Sequence, residues 1–457
     1  MASHSSRARA IGVLCVVLST ALSACTGGGS TGSAGTGAAA AGTASNGGGN
    51  VTLTYWENVL DDGGLQDSVI KSFETSHPNV KVNHVTMQLN DLTVKLPTAL
   101  SSGTGPDVIY ADVSPAFLGD YVKAKEILPL DNAFKTYGWD KRVFSFAQKR
   151  ATYGGHIYAV GNEVEDLGLM VNKKIFDALH LPLPTTFDQL ESDMATIKAK
   201  SDYTPMQLAC ASGCYNGFHV MHTIAYATMP TATVVNTTPQ GTGSYLDPGW
   251  LAALTTFQSW VKAGYFNKDA NAVGFDNHWA DFCAGKVAML TQGTWLFKTI
   301  SDCAKASGGR LDFVNIPFPV KQGLPFQAYV GVGSGWYVNA AVAKDPAREK
   351  AALDLINAMI APSVADQWVS KAQVFPAVPF DKSKVTLTAP QKVALDILEK
   401  AGDNGGPVPV GFNNSSAESD IWAAGLQGII AGSTTPQQLV TKLQAELTKE
   451  QAAWRHK

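Results

Sequence analysis

Cysteine and histidine side chains cluster in one short segment, where they could bind a metal or form disulfides. Cys210 and Cys214 are followed by His219 and His222, a set of ligand types that zinc accepts. The spacings are irregular for zinc, and the Ala-Ser-Gly segment between the two cysteines is turn-like and could bring their sulfur atoms together. An even number of cysteines is typical of disulfides in exported chains, and the N-terminal segment described next predicts export. We therefore predict no metal site and two disulfides, Cys210–Cys214 and Cys283–Cys303.

The N-terminal segment is typical of a secretory signal. Arg7 and Arg9 precede an uncharged stretch over 10–24, which is short for a membrane span. Leu22-Ser23-Ala24-Cys25 resembles the lipobox of bacterial lipoproteins, in which the cysteine becomes the lipidated N-terminus. The alternative is ordinary cleavage after a small-x-small triplet, which Leu22 fits poorly. We predict a signal peptide over 1–24, lipid attachment at Cys25, and a tether rich in Gly, Ser and Ala over 25–50.

The composition of the chain narrows the class of partner. Charged residues make up 16% of the chain, below the roughly 25% usual in soluble domains. The formal net charge is −3 and no basic run occurs, so nucleic acid is not an expected partner. Ten tryptophans offer flat apolar faces to a ligand. Together these features favour a neutral ligand that has apolar faces of its own.

Strand and helix patterns alternate along the chain after residue 50. Val51–Trp56 and Val80–Met87 alternate in hydropathy as half-buried strands do, while Gly64–Ser76 has the apolar spacing of a helix. Asp107–Tyr110 and Val287–Leu290 are short apolar runs, typical of strands in a sheet that is covered on both faces. This alternation predicts an α/β fold with mostly parallel sheets.

Motifs of hydrolytic and nucleotide-dependent enzymes are missing from the sequence. Gly333-Ser334-Gly335 lacks the spacing of a nucleophile elbow, and Gly285-Lys286 is followed by Val287, so it is no P-loop. Glu163 and Glu165 lie too close on one segment to flank a glycosidic bond from different elements. We predict no catalytic residues, no cofactor and no enzyme activity. The alternative is a cell-surface hydrolase that acts on carbohydrate.

A series of sequence blocks is distributed in order over nearly all of residues 51–457. The blocks are 105–112 (GPDVIYAD), 153–160 (YGGHIYAV), 169–174 (LMVNKK), 183–190 (LPTTFDQL), 282–289 (FCAGKVAM), 293–295 (GTW) and 429–436 (IIAGSTTP). Their order resembles family 1 of the extracellular solute-binding proteins, the maltose-binding type that serves sugar ABC transporters. The resemblance implies a type II periplasmic-binding-protein fold, in which the ligand lies between two α/β lobes.

The resemblance also implies how the chain is divided and what it does. The implied N-terminal lobe comprises 51–162 and 331–375, the C-terminal lobe 163–330 and 376–457, and the crossings lie near 161–165, 329–331 and 374–378. The implied function is that of a substrate-binding lipoprotein of an ABC importer. It would capture a neutral oligosaccharide and deliver it to permease subunits that work with a separate ATPase. We expect a monomer that is exported and lipid-anchored to the outer face of the cell membrane.

A binding protein for a non-sugar solute, such as a peptide or a polyamine, is a further alternative. It would need more acidic groups facing the cleft.

The first strand is expected to place three side chains at the ligand site. In open α/β sheets, ligands sit beyond the carboxyl ends of strands, where Trp56, Glu57 and Asn58 follow one another. A sugar ring has a C–H face that packs on an aromatic plane, and a rim of hydroxyls that needs hydrogen-bond partners. A carboxylate makes the stronger hydrogen bond, and an amide adds a donor and an acceptor. Trp56 could instead belong to the core.

The family resemblance implies five further ligand-binding residues. Asp112 and Glu165 match positions that hold sugar hydroxyls, and Trp295 matches the aromatic platform. Trp336 and Trp422 fill similar loop and helix-start positions. The alternatives are a helix N-cap for Asp112, a solvated hinge charge for Glu165, and structural roles for the last two tryptophans.

Cys25 gives a first testable prediction. Cys25→Ser should release soluble protein from membranes, because it removes the thiol to which the lipid is attached, and the released protein should keep its ligand affinity. Mass spectrometry of the native N-terminus checks the modification directly. A native chain that begins downstream of Cys25 and carries no lipid would contradict the prediction.

Overall fold

The computed structural model describes residues 50–58, 60–401 and 414–455. The predicted signal peptide, Cys25 and nearly all of the tether lie outside these residues. Within the described part, no helix combines the length and the apolar character needed to cross a membrane. The strands are β1 Val51–Asn58, β2 Val80–Met87, β3 Val108–Asp112, β4 Thr152–Tyr153, β5 His156–Ile157, β6 Ala159–Gly161, β7 Glu163–Asn172, β8 Thr204–Met206, β9 Val287–Gly293, β10 Phe313–Ile316, β11 Val330–Val332, β12 Ser334–Val338 and β13 Phe375–Pro376.

The described α-helices surround these strands. They are α1 Leu65–Ser76, α2 Leu89–Ser101, α3 Gly119–Lys123, α4 Asp131–Thr136, α5 Ser145–Arg150, α6 Lys173–Ala178, α7 Phe187–Lys200, α8 Tyr215–Thr228, α9 Thr231–Asn236, α10 Pro248–Ala263, α11 Ala280–Cys283, α12 Phe297–Ala306, α13 Pro346–Met359, α14 Pro362–Gln367, α15 Ala389–Ala401, α16 Ser416–Ala431 and α17 Pro436–Arg455.

The first lobe is built on a five-stranded sheet in the order β2-β1-β3-β12-β6. β1 is parallel to β2 and to β3, whereas β12 is antiparallel to β3 and to β6. One face of β1 is buried through Val51, Leu53 and Tyr55, as its alternation predicts. Helices α1 and α13 cover this face and pack against each other. β3 is buried on both faces, as the apolar run predicts.

The second lobe is organised around β7, a strand of ten residues that is buried along its whole length. The sheet order is β10-β7-β9-β8, and β11 and β13 pair with the first residues of β7. Helices α8, α10, α16 and α17 pack against one another on this lobe. α15 packs on β10 and β7. The second core is therefore separate from the first, and β7 leads into it.

The two-lobe α/β fold is confirmed, but the expectation of mostly parallel sheets is wrong. In the described part of the chain, parallel pairing between strands is confined to β1 with its two neighbours and to β8 with β9, beside one isolated bridge between Met206 and Phe266. β7 is antiparallel to every strand with which it pairs. β7 leads the chain into the second lobe and β11 leads it back, so these two strands must run in opposite directions. Mixed sheets are common in large α/β folds.

Three segments connect the lobes and meet beside the start of β7. β6 leads into β7, β11 leads into β12 through Gly333, and β13 pairs with β7 at the same place. The register sets Glu165 opposite Gly331, and Val164 opposite Phe375. The residue at which each lobe begins and ends stays a prediction.

The structure pairs the four cysteines of the body as predicted, Cys210 with Cys214 and Cys283 with Cys303. The first bond lies directly before α8, and the second joins α11 to α12. Disulfide sulfurs are not thiolates, so the alternative zinc cluster loses two of its four ligands.

Removing the longer-range disulfide should cost more stability than removing the local one. Cys283 and Cys303 are 20 residues apart, whereas Cys210 and Cys214 are 4 apart. The bond that closes the longer loop restricts the unfolded chain more, by about 3 against about 2 kcal/mol. Urea unfolding of the two double Cys→Ala variants under non-reducing conditions measures both losses. Equal losses, or no loss without the Cys283–Cys303 bond, would contradict this ordering.

Candidate ligand cleft

A cleft of about 120 Å³ lies between the two lobes, where the crossings meet. Asn58 and Asp112 line it from the first lobe, Trp295 lines it from the second, and residues of β7 form its base. An adjoining cavity of about 370 Å³ shares Phe117 and Tyr215 with this cleft and is also lined by both lobes. The two cavities therefore adjoin each other between the lobes.

Contacts between the lobes close the space around the cleft. Asn90 Nδ2 of the first lobe donates a hydrogen bond to Asp276 Oδ2 of the second at 3.2 Å. The rings of Phe117 and Tyr215, one from each lobe, have their centroids 5.9 Å apart. The structure therefore shows the lobes touching around the cleft, which is the arrangement expected of a closed clamp.

The carboxyl ends of two parallel strands supply polar groups to the cleft. Asn58 is the last residue of β1 and Asp112 is the last residue of β3, and both line the cleft. Asp112 Oδ1 accepts a hydrogen bond from the Ser114 backbone N–H at 2.6 Å. Asp112 thus stabilises the turn after β3 and faces the ligand space as well. Burial raises the pKa of Asp112, and the charge of Arg150 opposes this shift.

Glu163 and Glu165 form the base of the cleft. They lie two residues apart on β7, so both side chains point to the same face of the strand. The Ser334 backbone N–H donates to Glu163 Oε2 at 3.3 Å. Gly333 leaves the space that the other carboxylate occupies, because a Cβ there would lie 2.4 Å from Glu165 Oε2. The predicted ligand residue Glu165 therefore lies in the cleft, with Glu163 beside it.

Burial disfavours the charged forms of these two carboxyl groups. It raises the pKa of Glu163 to about 7 and raises the pKa of Glu165 well above its usual range. The negative charges of Asp112 and Glu163 raise the pKa of Glu165 further, while Arg150 opposes this. The base of the cleft therefore favours protonated carboxyl groups or a ligand that brings its own donors.

Trp295 lies on the wall that the second lobe contributes. It comes two residues after Gly293, the end of β9, and its side chain is half-buried. Gly293 gives the indole its room, because a Cβ there would lie 1.8 Å from Trp295 Cζ3. The His219 ring packs edge-on to the indole, with centroids 5.6 Å apart and an interplanar angle of 62°. The indole is thus held at the cleft, where its exposed part can meet a ligand.

A chain of hydrogen bonds orients His219, which lines the cleft. His219 Nδ1–H donates to Gln292 Oε1 at 3.1 Å, and Gln292 Nε2 donates to His278 Nε2 at 2.7 Å. Burial lowers the pKa of His219 to about 3 and that of His278 to about 4, so both rings are neutral at neutral pH. With Nδ1 as the donor, Nε2 of His219 is a hydrogen-bond acceptor.

Sequence reasoning missed the aromatic residues that the second lobe adds to the cleft. Tyr215, Phe275 and Trp279 line it together with His219, which the sequence suggested only as a zinc ligand. None of them follows a predicted strand or belongs to a block that carries the family resemblance. Only the folded chain brings the start of α8 and the segment before α11 to the end of β9.

The predicted ligand roles of Trp336 and Trp422 are wrong, because both side chains are fully buried in the lobe cores. Trp336 Nε1 donates to Tyr55 Oη at 3.0 Å in the first lobe. Trp422 Nε1 donates to Tyr245 Oη at 3.3 Å in the second, and its ring packs against Trp250 with centroids 6.0 Å apart. Both indoles have structural partners for their one polar group.

Two of the three residues predicted at the end of β1 do not line the cleft. Glu57 is buried on the face opposite to Asn58, where it accepts a hydrogen bond from Gln66 Nε2 and lies 3.2 Å from His84 Nε2. Trp56 is half-buried against the core of the first lobe. Successive side chains of a strand alternate between its faces, so three consecutive residues could not all point into one cleft.

A larger cavity of about 570 Å³ lies on the other side of the hinge. Its walls include Phe144, Phe146, Phe375 and Val164, the last of which stands between the two glutamates of β7 and points away from them. This lining is mainly apolar. It lacks the ring of hydrogen-bonding groups that the smaller cleft offers, so size alone does not make it the better candidate for a polar ligand.

Two α/β lobes with a closed, polar cleft between them define a two-lobe binding protein. The family model of bacterial extracellular solute-binding proteins matches residues 68–434, and the chain belongs to this family. This confirms the resemblance stated above and shows that the chain is a member of an exported class of proteins.

Curated relatives match parts of the chain. A binding protein of Brucella abortus is 23% identical over 261 residues, which is 56% of this chain and 60% of that protein. The diacetylchitobiose binding protein DasA of Streptomyces coelicolor is 31% identical over 163 residues, which is 34% of this chain and 36% of that protein. The chain thus spans less than two thirds of the length of these relatives.

A solved structure of a chitin oligosaccharide binding protein superposes with a TM-score of 0.77 at 22% identity, covering 89% of this chain and 100% of that one. At this identity the likeness shows the fold alone.

Glu163 predicts a pH dependence of stability. Its pKa is about 7 in the folded protein against an ordinary value of 4.5, so the folded state binds more protons than the unfolded state between these values. Stability should therefore fall as pH rises from about 4.5 to about 7. Glu163→Gln should flatten this fall in urea unfolding curves, whereas Asp202→Asn, at an exposed carboxylate, should keep it. A Glu163→Gln protein with the parent's pH slope would contradict the assignment.

Proposed function

We propose that the chain is the substrate-binding component of an ABC importer and captures a carbohydrate between its lobes. The observation that supports this best is the combination of groups across one cleft, with the Trp295 indole on one side and Asp112 and Asn58 on the other. An indole packs on the C–H face of a sugar ring, and the oxygen and amide groups match its hydroxyls. A sugar in this cleft would contact both lobes at once.

Contact with both lobes gives the ligand a means of closing the protein. A ligand shifts a conformational equilibrium only by as much as it favours one state over the other. Groups on both walls contribute to binding together only when the lobes are closed. Glu163 and Glu165 would also hold the ligand against β7, the strand that crosses between the lobes. Closure of two domains around a ligand at a hinge is a recurring device. The closed form would then dock on the permease.

The presence of two adjoining cavities between the lobes supports an oligosaccharide rather than a single ring. One ring would occupy the inner cleft of about 120 Å³, and further rings would occupy the adjoining cavity of about 370 Å³. Phe117, Tyr121, Tyr215 and Phe218 give this outer cavity aromatic faces. The names of the chitin oligosaccharide and diacetylchitobiose binding proteins agree with such a ligand class.

The proposal includes the position of the protein in the cell. A lipid on Cys25 would anchor the chain to the outer face of the cell membrane. The tether over 25–50 would span roughly 25–30 Å as a flexible coil, which keeps a monomeric body close to the permease. The chain would need no cofactor, and the ATPase would be a separate protein.

Thermal unfolding in the presence of neutral oligosaccharides tests the proposal. The panel should include β-1,4-linked glucose, N-acetylglucosamine and xylose oligomers and α-1,4-linked glucose oligomers. A ligand at about 100 times its Kd adds about 2.7 kcal/mol of stability, which raises the midpoint measurably. A panel in which no saccharide raises the midpoint would contradict the proposal, and so would cleavage of a bound glycoside.

Trp295→Ala should weaken binding of the best saccharide by about 1–3 kcal/mol, because it removes the aromatic face on which the ring packs. Isothermal titration calorimetry measures the loss. Trp56→Ala is the matched control, since it removes a half-buried indole of the first lobe that does not line the cleft. Equal losses in the two variants would show that the Trp295 effect is not specific to the ligand.

A further inference from the structure

Tyr215 lies where the two cavities between the lobes meet. It lines both the inner cleft and the adjoining cavity, a position that it shares with Phe117. The Tyr215 ring packs against the Phe117 ring of the first lobe, with centroids 5.9 Å apart. It also packs edge-on to the Phe275 ring of its own lobe, with centroids 5.7 Å apart. A saccharide that extends from the inner cleft into the outer cavity would therefore pass the Tyr215 ring.

The backbone of Tyr215 is placed by an unusual helix start. Tyr215 is the first residue of α8, and Cys214 before it has a φ of 50°, in the left-handed region that residues other than glycine rarely adopt. The Cys214 side chain makes no capping hydrogen bond to the first turn of the helix. Such a conformation persists only where the surrounding structure enforces it. The start of α8 therefore needs a restraint other than a cap.

The Cys210–Cys214 disulfide supplies this restraint. Both side chains are fully buried, and the bond ties Cys214 to a residue that is itself fixed. The Cys210 backbone N–H donates a hydrogen bond to the Ala270 carbonyl oxygen at 2.7 Å. Gln427 Nε2 donates to the Cys210 carbonyl oxygen at 2.8 Å. The disulfide thus connects the start of α8 to a segment that two other parts of the second lobe hold in place.

The loop over 210–214, which the disulfide closes, also supports the ring of Tyr215. Gly213 has a φ of 65°, and a Cβ at this position would lie 2.6 Å from Tyr215 Cζ. The ring therefore lies back over the backbone of the loop, and Gly213 itself lines the outer cavity. The loop thus positions both the backbone and the ring of Tyr215.

A second anchor holds α8 to its lobe on the other side of Tyr215. Asn216 Oδ1 accepts a hydrogen bond from the Ala209 backbone N–H at 3.0 Å, and Asn216 Nδ2 donates to the Thr291 carbonyl oxygen at 3.0 Å. Neither hydrogen bond depends on the disulfide. Loss of the disulfide should therefore leave the helix folded and release chiefly residues 212–215.

We propose that the Cys210–Cys214 disulfide is a positioning element of the ligand site, which holds Tyr215 at the junction of the two cavities and thereby raises the affinity for oligosaccharides. This inference rests on the proposed function and refines it, since it assigns the contact of the ring that follows the first one. Trp295 packs on the sugar ring in the inner cleft, and Tyr215 packs on the ring that leaves it. The two cysteines line neither cavity, so the disulfide acts on the ligand through Tyr215.

A double-mutant cycle tests the proposal, with calorimetry of the best-binding oligosaccharide at a temperature below the unfolding midpoint of every variant. Tyr215→Ala should weaken binding about tenfold, the scale of one lost aromatic contact. Cys210→Ala with Cys214→Ala should weaken binding about fivefold in the parent, but less than about twofold in a protein that already carries Tyr215→Ala. A disulfide that acts on the ligand site independently of Tyr215 would give equal factors in both backgrounds.

Gly213→Ala displaces the ring while keeping the disulfide. It should weaken binding by a factor similar to that of the disulfide variant, because the added Cβ would meet the Tyr215 ring. This variant tests the support of the ring even if the disulfide variant does not fold. An affinity equal to that of the parent would overturn the proposal.

Cys283→Ala with Cys303→Ala is the matched control. Its bond closes the longer loop, and neither cysteine adjoins a residue that lines the two cavities. This variant should lose more stability than the Cys210–Cys214 variant and yet keep the affinity of the parent. Equal losses of affinity in the two disulfide variants, or equal factors in the two Tyr215 backgrounds, would overturn the positioning role and leave the carbohydrate function standing. A parent protein that binds no saccharide would overturn both.

Discussion

The cleft depends above all on strand β7, which belongs to the hinge and to the second lobe at once. Its first residues pair with β11 and β13 beside the first lobe, and its remaining residues pair with β9 and β10 inside the second. Strand alternation then decides which side chains face which cavity. Glu163 and Glu165 point into the cleft, while Val164 points to the apolar cavity behind the hinge. A slip of one residue would exchange these two surfaces.

Buried carboxyl groups make this hinge costly for the unliganded protein. Removing an ionised group from water is unfavourable unless it gains partners. The raised pKa values of Glu163 and Glu165 result from this free-energy cost of burying the charged form. A ligand that donates hydrogen bonds to these groups recovers part of it. The Ser334 N–H already offsets part of this cost at Glu163, and hydrogen bonds from a ligand would offset more.

Regular strands and the chain-wide order of sequence blocks made the fold predictable. The end of β1 led to Asn58, and the family resemblance led to Trp295. Burial of individual tryptophans was not predictable in the same way. Trp336 and Trp422 resemble ligand residues in sequence. In the cores, however, their indole N–H groups donate hydrogen bonds to the hydroxyls of Tyr55 and Tyr245, which are distant in the sequence. Tyr215 escaped notice because its place in the cleft follows from the packing of α8 against the end of β9, which no local pattern records.

The most direct test of this account is a crystal structure of the protein grown with its best-binding saccharide. We expect one ring between Trp295 and Glu165, with its flat face on the indole and a donor group on the carboxyl group, and with both lobes in contact with the ligand. Saccharide found in the apolar cavity behind the hinge, or on the surface of a single lobe, would contradict the assignment of the cleft.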